Sequence, residues 1–150
     1  MNFQKYLETT KASTNTERGL LDSLVMKFKD GSADLIDERA AERSLQILSE
    51  NLIGKLKKIL QHYNSPVVPD SGYDAVEILR NIGAISDEDS SFFRKILGFR
   101  NALVHDYMNF DREIVKKIIL NGDYRKLCDF LVDEVEYPEV IRRRIENITL

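Results

Sequence analysis

Apolar residues recur every three or four positions along most of this chain, the spacing that places them on one face of an α-helix. The clearest example lies between Asp34 and Tyr63, where we predict one long helix. Its apolar positions are Ala41, Leu45, Leu48, Leu52, Leu56, Ile59 and Tyr63. Ile47, Ile53 and Leu60 widen this face. We therefore expect two neighbouring segments to pack on this helix.

The N-terminal segment, residues 2–29, has a weaker helical pattern than the central one. The stretch from Thr9 to Thr16 is polar and poor in helix formers, and Gly19 weakens the middle further. Apolar positions at helical spacing return from Leu20 to Phe28. We predict a helix here that is broken or only weakly amphipathic.

A proline-containing loop at residues 64–72 separates the long helix from the rest of the chain. We predict a short helix from Asp74 to Asn81 and a longer one that begins after Ser86, where acidic residues suit a helix N-terminus. We call this longer helix the motif helix and expect it to break at Asn109–Asp111. Its predicted buried set is Phe92, Phe93, Ile96, Leu97, Leu103 and Val104.

Two more helices follow, one that ends near Leu120 and one that begins near Asp123 and is interrupted by Pro138. Alternation typical of β-strands does not persist over more than a few residues. The predicted fold class is therefore all-α, an antiparallel up-and-down bundle of four main helices with short additional helices. We expect residues 1–150 to form a single domain.

The amino-acid composition and net charge limit the kinds of function that this chain could have. The chain has 150 residues and is 43% hydrophobic, and its formal net charge is −3, which argues against a protein that coats nucleic acid by charge alone. Cys128 is the one cysteine, so no internal disulfide is possible, and we expect a cytoplasmic protein. We expect no signal peptide and no membrane span. Phosphate-binding glycine loops and Cys/His clusters are absent, so no metal or cofactor is expected.

The chemically richest stretch is the end of the motif helix. Within eight residues it holds Arg100, Asn101, His105, Asp106 and Tyr107, and His105 is one of two histidines in the chain. Asn101 and His105 are four apart and within side-chain reach. Arg100 and His105 are five apart and point roughly 140° from each other on a regular helix. They can serve one site if the helix loosens near His105, or if the site is a cleft that both faces line, such as one between two copies of the chain.

These residue types suit RNA cleavage without a metal. That reaction needs a base for the 2′-hydroxyl, an acid for the leaving oxygen and a fixed cation for the phosphate charge. Histidine titrates near neutral pH, and arginine binds phosphate through two hydrogen bonds. One chain offers one suitable histidine, His105, whereas a homodimer offers two. We therefore expect a homodimer that brings the motif helices together.

The run from Gly98 to Tyr107, followed by Asn109, Phe110 and Asp111, resembles the signature of HepT-like proteins of the HEPN superfamily. Arg100, Asn101, His105 and Tyr107 match its pattern of Arg, a polar residue, three more, His, any residue and Tyr. Segments around Arg39–Arg43 and Gly72–Leu79 resemble the second and third helices of that family. The resemblance covers roughly residues 35–135.

This resemblance implies a ribonuclease toxin of a HEPN/MNT toxin–antitoxin pair. Arg100 and His105 would be catalytic residues in a dimer cleft, with Asn101, Asp106 and Arg43 supporting catalysis or contacting RNA. Its partner would be a minimal nucleotidyltransferase (MNT), the antitoxin, which silences the toxin by attaching AMP to the motif tyrosine. In this sequence that tyrosine is Tyr107.

Other interpretations remain open at this point. The chain could be a non-catalytic helical module that binds a nucleotide or a nucleotidyltransferase, or a helical dimer with a structural role. Arg39 and Arg43 could be a solvated pair beside Glu38 and Glu42. Two further basic sets could be solvated surface or could contact RNA or a partner. They are Lys55, Lys57 and Lys58 with His62, and Arg142, Arg143 and Arg144.

Overall fold

The computed structural model describes residues 2–149, and within that range it holds seven α-helices, one 3₁₀ turn and no β-strand. The helices are α1 Phe3–Asp30, α2 Leu35–His62, α3 Gly72–Asn81, α4 Asp87–His105, α5 Glu113–Leu120, α6 Asp123–Val132 and α7 Glu139–Glu146. The 3₁₀ turn is Tyr107–Asn109. The all-α prediction is confirmed, and the motif helix is α4.

Helix α2 lies at the centre of the bundle and contacts α1, α3, α4, α5 and α6. It begins with a capping box, in which the side chains of Asp34 and Asp37 each accept a hydrogen bond from the other's backbone N–H. Most of the apolar positions predicted along it are buried, and Leu48, Leu52, Leu56 and Ile59 have no exposed surface, whereas Ile47, Ile53 and Tyr63 are partly buried. The predicted wide apolar face therefore serves more neighbours than the two expected.

Helix α1 is continuous over 28 residues, so the break that was one of the two predicted possibilities is absent. Its polar residues Thr14 and Glu17 are buried against α2 and make hydrogen bonds there. Asn51 of α2 donates to the Thr14 hydroxyl at 3.4 Å, and the Ser44 hydroxyl of α2 donates to the Glu17 carboxylate at 3.0 Å. Hydrogen bonds between buried polar groups offset the cost of burying them, so a polar segment continues the helix.

Lys55 was predicted to lie on a solvated face or in a groove that contacts RNA, and both possibilities are wrong because its side chain is fully buried. Its ammonium group donates to the backbone carbonyls of Phe130, Leu131 and Asp133, at 2.6, 3.3 and 2.7 Å. Burial lowers the pKa of Lys55 to about 8, and the negative charge of Asp133 opposes that shift. Lys55 therefore joins α2 to the C-terminal end of α6, where carbonyls lack partners within the helix.

None of the helices described between residues 2 and 149 has an apolar stretch long enough to cross a lipid bilayer.

Lys55→Met should lower the free energy of unfolding by about 2 kcal/mol or more, because it leaves buried carbonyls without a donor. Urea denaturation followed by circular dichroism measures the change. Lys11→Met is the matched control, since Lys11 is exposed on α1. Equal stability of the Lys55→Met variant and the parent would contradict the capping role.

Candidate active site at the end of helix α4

Helix α4 places the candidate residues by burying one face and leaving its C-terminal end open. The Ser86 hydroxyl accepts the Asp89 N–H at the start of the helix. Its buried apolar side chains are Phe93, Ile96, Leu97, Phe99 and Leu103. Val104, predicted to be buried, is 41% exposed, and Phe99 is buried instead. Val104 therefore belongs to the surface that carries the candidate residues.

The helix ends at His105, earlier than the break predicted at Asn109–Asp111. Asp106 leaves the helical conformation, and its carboxylate accepts a hydrogen bond from the Asn109 side chain at 3.0 Å. Phe110 then returns to the core, where its ring lies 5.5 Å from that of Phe99. Anchoring of Phe110 limits the length of the helix and leaves Tyr107 on a short exposed turn.

Arg100 and Asn101 lie in a recess between α2, the start of α3 and α4. Arg100 Nη1 donates to Asn101 Oδ1 at 3.1 Å, and Nη2 lies 4.0 Å from Glu50 Oε1. The buried Nε of Arg100 has no hydrogen-bond partner among residues 2–149. The recess is lined by these two residues with Ile53, Lys57, Asp70, Ser71, Gly72, Tyr73 and Leu97. Arg100 thus retains a free donor beside another cation, Lys57.

His105 is exposed at the end of α4, and its imidazole has no hydrogen bond or ion pair within the described part of the chain. Asn101 was expected to orient His105 or contact RNA, but in a single subunit its oxygen is bonded to Arg100. The helix stays regular through His105, so Arg100 and His105 point in different directions. One subunit therefore does not bring the two candidate catalytic residues together.

Tyr107 lies at a second cleft, where it contacts a buried carboxylate. Its hydroxyl donates to Glu42 Oε2 at 3.0 Å, and Glu42 is 4% exposed. Arg39 Nη1 and Arg112 Nε each lie 3.2 Å from Glu42 Oε1. Their guanidinium carbons lie 5.5 and 4.9 Å from the centre of the Tyr107 ring. The nearby hydroxyl of Tyr107, and to a lesser extent the charge of Glu42, raise the pKa of Arg112, so Arg112 stays cationic.

The remaining predicted residues divide between the two regions. Arg43 lies at the Tyr107 cleft rather than beside Arg100; the full lining is Arg39, Glu42, Arg43, Gln46, Leu103, Val104 and Tyr107. Asp106 is exposed at the helix end. The sequence interpretation treated Glu42 only as a solvated neighbour of Arg39 and did not identify Arg112. The three-residue spacing of Arg39 and Glu42 on one helix was a usable signal, whereas the Arg112 contact is long-range.

Among residues 2–149, no group of three or more His, Cys, Asp or Glu side chains is arranged so that it could hold a metal ion. Cys128 is fully buried, and burial raises the pKa of its thiol to about 12. That thiol is therefore not a nucleophile near neutral pH.

Comparison with known proteins gives the same family that the motif resembles. The model of the Ribonuclease HepT-like family matches residues 15–133. The fold is similar to that of a tri-AMPylated Shewanella oneidensis HEPN toxin solved in complex with MNT antitoxin, with TM-score 0.69 and 21% identity over 86% of this chain and 96% of that one. A toxin–antitoxin structure with AMP-PNP gives TM-score 0.68 and 21% identity over 87% and 99%. Among curated proteins there is no significant match.

Proposed function

This chain belongs to the Ribonuclease HepT-like family, and on that premise we propose that it is the ribonuclease toxin of a HEPN/MNT toxin–antitoxin pair. It cleaves RNA in the cytoplasm as a homodimer, without a metal ion. A nucleotidyltransferase antitoxin silences it by attaching AMP to Tyr107. Two structural relatives support the pairing, because both are toxin–antitoxin complexes and one contains an AMPylated HEPN toxin.

The ribonuclease proposal rests on one observation: the side chains of Arg100 and His105 are both available to interact with RNA. Arg100 has a buried Nε without a partner among residues 2–149, and His105 is exposed at the helix end. A guanidinium with free donors can bind the scissile phosphate, and an exposed imidazole can transfer protons near neutral pH. Asn101 holds the Arg100 side chain, and Asp106 shapes the turn that follows His105.

A homodimer can bring a motif arginine and a motif histidine together, which one subunit does not do. Arg100 and His105 diverge on a regular helix, so a phosphate bound by Arg100 lies away from His105 of the same chain. A twofold axis near the end of α4 places each histidine opposite the arginine of the other copy. Both protonation roles are then available in one cleft.

The modification proposal rests on the accessibility of Tyr107. Of the six tyrosines, all within residues 2–149, Tyr107 is the most exposed, at 36%. An attached AMP would add a bulky anion two residues from His105. That anion would obstruct the cleft and repel RNA phosphates.

A non-catalytic HEPN module that binds a nucleotide or a nucleotidyltransferase is the alternative. It is favoured by the separation of Arg100 and His105 within one subunit, because a binding module has no need to bring them together.

Purified protein incubated with total RNA in excess chelator should cleave it, and His105→Ala should reduce the rate by about 100-fold or more, since the general acid–base group is lost. His62→Ala is the matched control, because the ring of the other histidine is stacked on Phe3 at 3.9 Å. Cleavage by His105→Ala at the parental rate would exclude the catalytic role. Absence of cleavage by the parent would favour the alternative.

Co-expression with a cognate MNT-type nucleotidyltransferase should add AMP to the chain, and tandem mass spectrometry should locate the first addition at Tyr107. Tyr107→Phe should abolish the modification, and Tyr6→Phe, a change at a half-buried tyrosine of α1, should not. Modification of another tyrosine, with Tyr107 unchanged, would contradict the assignment.

A further inference from the structure

We propose that Glu42 is the group that removes the phenolic proton from Tyr107 during nucleotidyl transfer, and that Arg39 and Arg112 then bind the transferred phosphate. This inference rests on the proposed modification of Tyr107 and assigns roles to three residues outside the motif. It implies that the toxin supplies part of the machinery by which it is silenced.

The first part of the proposal, removal of the phenolic proton, rests on the position of Glu42. The Tyr107 hydroxyl already donates to Glu42 Oε2 at 3.0 Å, which is the distance expected of a general base and its substrate. The carboxylate is 4% exposed, whereas the tyrosine that it contacts is 36% exposed. The phenol oxygen thus has a proton acceptor on its buried side and a cleft open to a nucleotide on the other.

The reaction balances with the groups named. Tyr107 Oη forms a bond to the α-phosphorus of ATP, and the bond from that phosphorus to the bridging oxygen of the β-phosphate breaks. Pyrophosphate leaves with the electrons of the broken bond, and the phenolic proton moves to a carboxylate oxygen of Glu42. The nucleotidyltransferase supplies the ATP site, and no oxidant or reductant is involved.

The second part of the proposal, binding of the transferred phosphate, rests on Arg39 and Arg112. Both guanidinium groups pair with Glu42 Oε1 and lie beside the Tyr107 ring, 5.5 and 4.9 Å from its centre. When Glu42 gains the proton it loses its charge, and a new anion appears on the phosphate attached to Tyr107. The two arginines can then pair with the phosphate by small side-chain movements, because arginine binds phosphate through paired hydrogen bonds. Arg43 lies at the same cleft and adds a third positive charge.

A second tyrosine in the same chain provides an internal comparison. The Tyr124 hydroxyl donates to Asp22 Oδ1 at 2.5 Å, and Arg125 lies 3.6 Å from that carboxylate and 5.4 Å from the Tyr124 ring. Tyr124 has no exposed surface, and its burial, with a smaller contribution from Asp22, raises its pKa to about 12. Tyr107 and Tyr124 therefore share this combination of tyrosine, carboxylate and arginine, but of these two phenols the one that lines a cleft is Tyr107.

The test measures the rate of AMP addition to Tyr107 by intact mass, with a cognate MNT-type nucleotidyltransferase, ATP and Mg²⁺ at saturation, from pH 6 to 9. Glu42→Gln should slow the addition by about 100-fold at pH 7, and its rate should rise with pH because solvent must take the proton. Glu42→Asp retains a carboxylate, so it should be slower than the parent but keep the parental pH profile. Glu38→Gln is the matched control, since it removes the same charge one turn earlier on α2.

The arginine roles are tested in the same assay. Arg39→Gln and Arg112→Gln should each lower the rate at saturating ATP by about tenfold or more, because a positive charge at the transferred phosphate is lost. Arg125→Gln, beside Tyr124, should leave the rate within about twofold of the parent, since its ion pair is exposed.

The outcomes separate this inference from the one on which it depends. A parent chain that is never modified at Tyr107 overturns both. A parent that is modified, with folded Glu42→Gln modified at the same rate and with the same pH profile, overturns the role of Glu42 alone. Thermal unfolding identifies a variant that fails to fold, and Glu42→Asp then decides the point, because a changed pH profile in that variant would contradict the proposal.

Discussion

The regularity of helix α4 up to His105 is the constraint that separates Arg100 from His105 within one subunit. Because the α-helix is continuous through His105, the five-residue spacing places Arg100 in the recess beside α3 and leaves His105 at the exposed end. The end itself is set by the return of Phe110 to the core. A ribonuclease built on this helix therefore needs a second copy of the chain, and the proposed homodimer follows from backbone geometry rather than from surface area.

Glu42 organises the same region through its contacts, and we propose a second role for it in nucleotidyl transfer. One buried carboxylate pairs with Arg39 of its own helix, Arg112 before α5 and Tyr107 of the intervening turn. A buried charge is tolerated when it is paired and hydrogen-bonded, and here the pairing also fixes the position of the tyrosine. The contact that orders the turn is thus the one that would prepare Tyr107 for modification, so folding and silencing share a set of side chains.

Much of the fold could be predicted from periodicity and capping signals. The limits of α2 follow from a long apolar stripe with Asp34 before it, and α4 begins after Ser86 as expected. The continuity of α1 could not be predicted, because its polar residues are stabilised by partners on α2 that a local pattern does not reveal. Lys55 was misassigned for the same reason, since its acceptors lie on α6.

The candidate site, like the fold, could be predicted only in part. The chemistry of Arg100, His105 and Tyr107 could be predicted from residue type and spacing, because all three lie within eight positions of one segment. Their environment could not, because Glu42 lies 65 positions before Tyr107 in the chain. Arg43, predicted either to support catalysis or to be a solvated residue, lines the same cleft as Tyr107. Long-range contacts decide which neighbours a functional residue has, and local periodicity does not contain them.

The shared cleft is tested most directly with heterodimers that pair one parent subunit with one subunit carrying both Arg100→Ala and His105→Ala. Differently tagged subunits allow such heterodimers to be purified, and RNA cleavage in chelator is then measured. If the site draws on both copies, the heterodimer should be as inactive as the doubly substituted homodimer, while a heterodimer of parent and His62→Ala subunits keeps parental activity. Retention of about half the parental rate, as expected of independent sites within each subunit, would contradict the account.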